Sequence, residues 1–112
     1  MEYRLDAKNK RLGRLASEIA CILQGKKSAY YEPRLAGADK VVVENVKELA
    51  FSGNKPITRQ YHWHTGYMGH LKSATLKELF EKNPGKVLRD AVGHMLPKNS
   101  LKPKRMKRLT IK

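Results

Sequence analysis

The chain has 112 residues, 40% of them hydrophobic, which is enough for one domain with a packed core and too few for two. Its 24 Lys and Arg against 10 Asp and Glu give a formal net charge of +14, so the expected partner is a polyanion: RNA, DNA or, less often, an anionic membrane. One cysteine excludes an internal disulfide framework and a cysteine-based zinc finger, and no apolar run approaches the length of a membrane span.

Tyr3 to Asp6 reads as a short strand and Ala7 to Lys10 as a turn. With two acids and no apolar core, the first six residues resemble neither a signal nor a transit peptide. Leu12, Leu15, Ala16, Ile19, Ala20 and Leu23 recur at helical spacing and predict an amphipathic helix, with Gly25 at its left-handed C-cap. Cys21 is expected on or beside the packed side of this helix, with nothing nearby to activate its thiol. Arg11 and Arg14 stand at the positive end of the helix dipole. That placement costs stability unless a phosphate binds there.

Residues 26–39 read as irregular, and Lys40 to Glu44 is a β-branched run that predicts a buried strand. Strand, helix and apolar strand in succession imply a parallel βαβ unit. Asn45 to Glu48 is expected to form a brief turn or one helical turn, and Leu49-Ala50-Phe51 another short strand. Residues 59–72 hold three of the four histidines, the only tryptophan and two of the five tyrosines, between Arg59 and Lys72. Flat rings beside cations suit a nucleic-acid surface, so the stretch is expected to be an exposed, extended arm. Thr75-Leu76-Lys77-Glu78 has capping-box spacing for a helix. Asn83 breaks that helix, and Pro84 starts another that carries Val87, Leu88, Ala91, Val92, Met95 and Leu96. Ser100 is expected to cap a last turn before a final strand, Leu109 to Ile111.

The positive charge is uneven: residues 54–112 carry 14 basic and 3 acidic side chains, against 10 and 7 in residues 1–53. Residues 98–112 contain no acid and read as a basic tail. His62 and His64, two apart on a strand, point to one side and invite a zinc reading with His70 or His94 as a third ligand. No further cysteine or patterned carboxylate supports it, so the expectation is no metal and no cofactor. The residues after the first strand also lack the glycine spacing of a dinucleotide-binding loop.

Several segments, in order, resemble the L-thirteen family of large-subunit ribosomal proteins, bacterial type. They are Leu5-Asp6-Ala7; Leu12-Gly13-Arg14-Leu15-Ala16-Ser17; Gln24-Gly25-Lys26; Asp39-Lys40-Val41-Val42-Val43-Glu44-Asn45; Ser52-Gly53-Asn54-Lys55; Tyr61 with His64-Thr65-Gly66-Tyr67; and Ala91-Val92-Gly93-His94-Met95-Leu96-Pro97-Lys98-Asn99. Trp63 stands where the family commonly has a basic residue, Met68 where it has Pro, His70 where it has Gly and Ala38 where it has Gly. The family's usual lead before the first strand and its His-Pro-His segment after the last are absent from these 112 residues.

The resemblance implies a single-domain, three-layer α/β/α fold around a small, largely parallel four-stranded sheet, with a basic C-terminal extension. It implies a cytoplasmic, non-enzymatic protein of the large subunit that binds ribosomal RNA, contacts neighbouring ribosomal proteins and supports early assembly. It implies neither a membrane nor a small-molecule substrate. On this reading Arg11, Gly13 and Arg14 meet phosphate at the helix start, and Lys26, Lys27, Lys55, Arg59 and Lys72 clamp the RNA backbone. His62, Trp63, His64, Thr65 and Tyr67 pack on sugars or splayed bases, with Gly66 and Gly69 admitting close approach. Lys98, Lys102, Lys104, Arg105, Lys107 and Arg108 thread between RNA elements. The rival expectation is a free-standing RNA- or DNA-binding regulator.

Overall fold

A computed structural model describes residues 2–51 and 53–112. The β-branched run Lys40–Glu44 forms β2, the central strand of a three-stranded parallel sheet between β1 (Glu2–Asp6) and β5 (Leu109–Ile111). Tyr3 and Leu109 flank Val41, and Leu5 and Ile111 flank Val43, so one face carries an unbroken apolar set. Helix α1 (Leu12–Gln24) makes the β1–α1–β2 crossover that the periodicity predicts. It buries Leu15, Ile19 and Leu23 against Val41 and Val43, together with Leu88 and Val92 of α4 (Pro84–Met95). Gly25 ends α1 at φ 85°, and its N–H and that of Lys26 bond back into the last turn, as expected of a left-handed cap.

The opposite sheet face, with Glu2, Arg4, Asp6, Lys40, Val42, Glu44 and Thr110, holds no buried residue. The architecture is therefore mixed α/β, with this parallel sheet and a separate antiparallel pair. The expected fourth strand, Leu49-Ala50-Phe51, makes only a single parallel bridge from Ala50 to Arg11. These residues follow directly on a 3₁₀ turn (Val46–Glu48). Their side chains turn inward, Phe51 packing edge-on against Phe80 at 5.2 Å.

The remaining elements follow from local chemistry. Thr75 caps α3 (Leu76–Lys82) by accepting the Glu78 N–H at 3.4 Å, as its spacing predicts. Asn83, read only as a breaker, is also the cap of α4: its side-chain oxygen accepts the Lys86 N–H. The stretch 59–72, expected to be an extended arm, opens as the strand β3 (Gln60–His64) and returns in β4 (Leu71–Thr75) as a hairpin; a one-turn helix, α2 (Lys55–Thr58), precedes it. Two further expectations are corrected. Cys21 is exposed, because its turn of α1 lines up with the exposed Arg14 and Ser17 rather than with Ile19 and Leu23. Ser100 caps nothing; Asn99 accepts the Leu101 N–H at 3.0 Å ahead of α5 (Lys102–Met106).

Candidate nucleic-acid interface

Helix α1 opens without a side-chain cap and with no acid in its first turn. Its N-terminal amides therefore face outward beside Arg11 and Arg14. Opposite them stand α2 and the start of β3. Lys55 lies at one end of α2, Arg59 at the other, and the Arg59 guanidinium sits 5.3 Å from the centre of the Tyr61 ring. Between these elements and α4 lies a cleft of about 330 Å³. Arg11, Gly13, Arg14, Lys55, Arg59 and Tyr61 line one side, Asp90 and His94 of α4 the other, and Leu12, Phe51, Leu76 and Met95 form its apolar surface. Five residues expected to meet phosphate are thus gathered from two sequence-distant segments.

The hairpin projects beside this cleft. Pairing of Tyr61 with Ala74 and Trp63 with Lys72 puts two rings and an ammonium on one face; His62 and His64 occupy the other, with Ser73 and Leu71. Trp63 is 45% exposed and Tyr67 72%, values that only a partner surface would reduce. The six-residue connection is closed by its own bonds. The Thr65 N–H and hydroxyl both donate to the His70 carbonyl, at 3.1 and 3.2 Å, and Gly66 (φ 94°) donates its N–H to His64 Nδ1 at 3.0 Å. The Tyr67 and His70 rings meet across the loop at a tilt of 46°, their centroids 5.9 Å apart. Among the described residues no three His, Cys, Asp or Glu side chains converge on a metal position.

Lys26 and Lys27 lie at the far end of α1, about 20 Å from Arg11 for a helix of this length. Lys27 is held between Glu18, at 3.9 Å, and the Tyr3 ring, at 5.5 Å. The basic stretch 98–112 does not trail away: it folds as α5 and β5. Lys98, Lys104 and Lys107 are exposed and Lys102 is half-buried, but Arg105 is only 2% exposed. Arg105 donates to the Leu35 carbonyl at 3.0 Å and to Pro33 at 3.4 Å. Arg108 donates to the carbonyls of Asp39 (2.7 Å), Leu23 (2.8 Å) and Ala36. Burial, then the neighbouring Arg105 guanidinium, lowers the Arg108 pKa, while Asp39 pulls it the other way. These two arginines pin the irregular loop 26–39 instead of reaching outward. Gly37 (φ 82°) lets that loop pass against Arg108, whose nearest nitrogen would lie 3.5 Å from an added Cβ.

The family model for Ribosomal protein L13 matches residues 1–111. The chain belongs to this family. It is 43% identical over 109 residues to the Large ribosomal subunit protein uL13 of Clostridioides difficile (strain 630), covering 97% of this chain and 76% of that protein. It is 47% identical over 109 residues to the protein of the same name from Geobacter sulfurreducens, with 97% and 76% covered. The Aquifex aeolicus protein of that name is 46% identical over 107 residues, with 96% and 74% covered. The segments that carried the family resemblance now have places. Leu12 to Ser17 open α1, His64 to Tyr67 turn the hairpin, and Ala91 to Asn99 end α4 and lead to α5. Asp90 and Phe51, which line the cleft, stood outside the expected site because neither carries positive charge or belongs to the aromatic stretch.

Proposed function

We propose that this chain is a non-enzymatic structural constituent of the large ribosomal subunit, working in the cytoplasm, that binds ribosomal RNA and supports early subunit assembly. The observation that carries the reading is the cleft, where Arg11, Arg14, Lys55 and Arg59 converge beside an exposed hairpin bearing Trp63, Tyr67 and Lys72. Cations fix RNA backbone, and rings offer stacking surface to splayed bases. Recognition is by shape, because the cleft, the hairpin and the exposed Lys26, Lys98, Lys104 and Lys107 lie on separate elements and fit one geometry of folded RNA. His62, His64, Thr65 and Gly66 add hydrogen-bonding main chain and side chains at the hairpin tip.

Neighbouring large-subunit proteins are the natural partners of the open sheet face, whose charges are mixed rather than basic. The bridge between Arg11 and Ala50 supports reading Leu49–Phe51 as the rudiment of a fourth strand. The third layer of an α/β/α arrangement would then come from whatever covers that face.

Co-sedimentation with large subunits, abolished by RNase, tests the proposal. The affinity for large-subunit RNA is expected to fall with salt along a log–log slope of about −0.7 to −0.9 per phosphate contact. A flat response would refute it.

A further inference from the structure

The cleft between α1, α2, β3 and α4 has a shape that a phosphate-binding surface does not need. A phosphodiester backbone is satisfied by cations on an open face. A recess of about 330 Å³ lined by Leu12, Phe51, Leu76 and Met95 gives phosphate nothing and would leave it poorly solvated. Its volume lies at the bottom of the roughly 300–1,000 Å³ range of small-molecule sites, the scale of one nucleotide. Tyr61 is half-buried on its wall, its ring already flanked by the Arg59 guanidinium at 5.3 Å. Four basic side chains edge the recess against a single carboxylate, Asp90.

We propose that this recess receives one unstacked nucleotide of the bound RNA, its base among the apolar side chains and Tyr61, its flanking phosphates on Arg11, Arg14, Lys55 and Arg59. Apolar surface and a ring take the π-face of a base, and the charged edge takes the anionic groups that a base alone lacks. A base-paired duplex cannot enter such a recess, so the site selects RNA in which one nucleotide is turned out of its stack. This rests on the proposal that the chain binds ribosomal RNA, and it adds which part of the RNA the cleft reads.

The test uses the full chain with large-subunit ribosomal RNA. Base-edge chemical probing of the wild-type complex is expected to show one nucleotide shielded and unpaired. Ultraviolet crosslinking with peptide mapping is expected to join that nucleotide to the peptide containing Phe51 or Tyr61. Ala91, half-buried on the α4 wall, offers a way to fill the space. Ala91→Phe is expected to restore that nucleotide's reactivity and weaken binding roughly tenfold, while Arg14→Gln lowers the salt slope by about one phosphate and leaves the nucleotide shielded. A folded Ala91→Phe chain that binds and shields like wild type overturns the inference and leaves RNA binding intact. Should Ala91→Phe fail to fold, the wild-type crosslink decides: its absence from both peptides overturns the inference. A wild-type chain with no affinity for the RNA overturns both proposals.

Discussion

Arg108 links α5 to β5, and its guanidinium is bonded to three main-chain carbonyls: Asp39, Leu23 and Ala36. Leu23 lies in the last turn of α1, where carbonyls have no partner within the helix. A hydrogen bond to a charged group contributes about 1.5–3 kcal/mol when its deletion strands the other partner. Arg108 is only part-buried, so water recovers some of the loss, and Arg108→Met is expected to cost about 2–4 kcal/mol in total. That is a large fraction of the ~5–15 kcal/mol that holds a domain of this size together. Arg108→Lys separates charge from geometry. A lysine keeps the positive charge but presents a point donor in place of a fork, so most of the loss should persist.

Urea unfolding of both variants measures the cost, and amide exchange should show it concentrated in residues 26–39. RNA affinity of Arg108→Lys, measured at fixed salt on the folded fraction, should match wild type. Two variants within about 0.5 kcal/mol of wild-type stability but weakened in RNA binding would refute the internal role and return Arg108 to the RNA-facing set.

Leu88→Ala removes a fully buried side chain between α4 and α1 and should cost about 2–5 kcal/mol in chemical denaturation; an unchanged midpoint would contradict this core. Trp63→Ala, at a half-exposed position, should leave stability within about 1 kcal/mol of wild type yet cost about 1–3 kcal/mol of RNA affinity in a filter-binding assay. Equal RNA affinity would mean that no base stacks there.

Asp6 accepts bonds from the Asn45 side chain at 3.0 Å and the Lys8 N–H at 2.9 Å, which lower its pKa. Its contribution to stability is complete above the unfolded value of about 3.9 and is lost as pH falls through the lower folded value. Thermal midpoints of Asp6→Asn across acid pH should therefore decline less steeply than those of wild type; parallel acid limbs would argue against the carboxylate's role.

Elements governed by near neighbours were legible in the sequence. The β-branched run of β2, the stripe of α1, Gly25 at its end, Thr75 and Pro84 at helix starts, and the last strand all depend on residues within a few positions. What was not legible has a common physical root. A run of lysines and arginines without acids cannot reveal that Arg105 and Arg108 satisfy carbonyls of a loop some 70 residues earlier in the chain. Lys55 to Thr58 contains too few residues to display a helical period, so α2 left no signal ahead of the arm. The cleft was half visible. Its cations could be suspected from the dipole argument at Arg11 and Arg14, but its apolar lining is assembled from α1, the 50–51 segment, α3 and α4. No spacing rule connects those elements.

The reach of Arg108 also sets an order of events. Its partners Leu23 and Ala36 stand 85 and 72 positions before it, and β2 needs β5 to complete its second edge. During synthesis, β1, α1 and β2 are all made long before residues 105–111 exist. Loop 26–39 must wait for them, and closure over so long a separation is slow. Until then, loop 26–39 lacks the side chains that satisfy its carbonyls, and β2 has β1 alone beside it. The end of α1 nearest Leu23 thus takes its final form only when the last residues of the chain are in place.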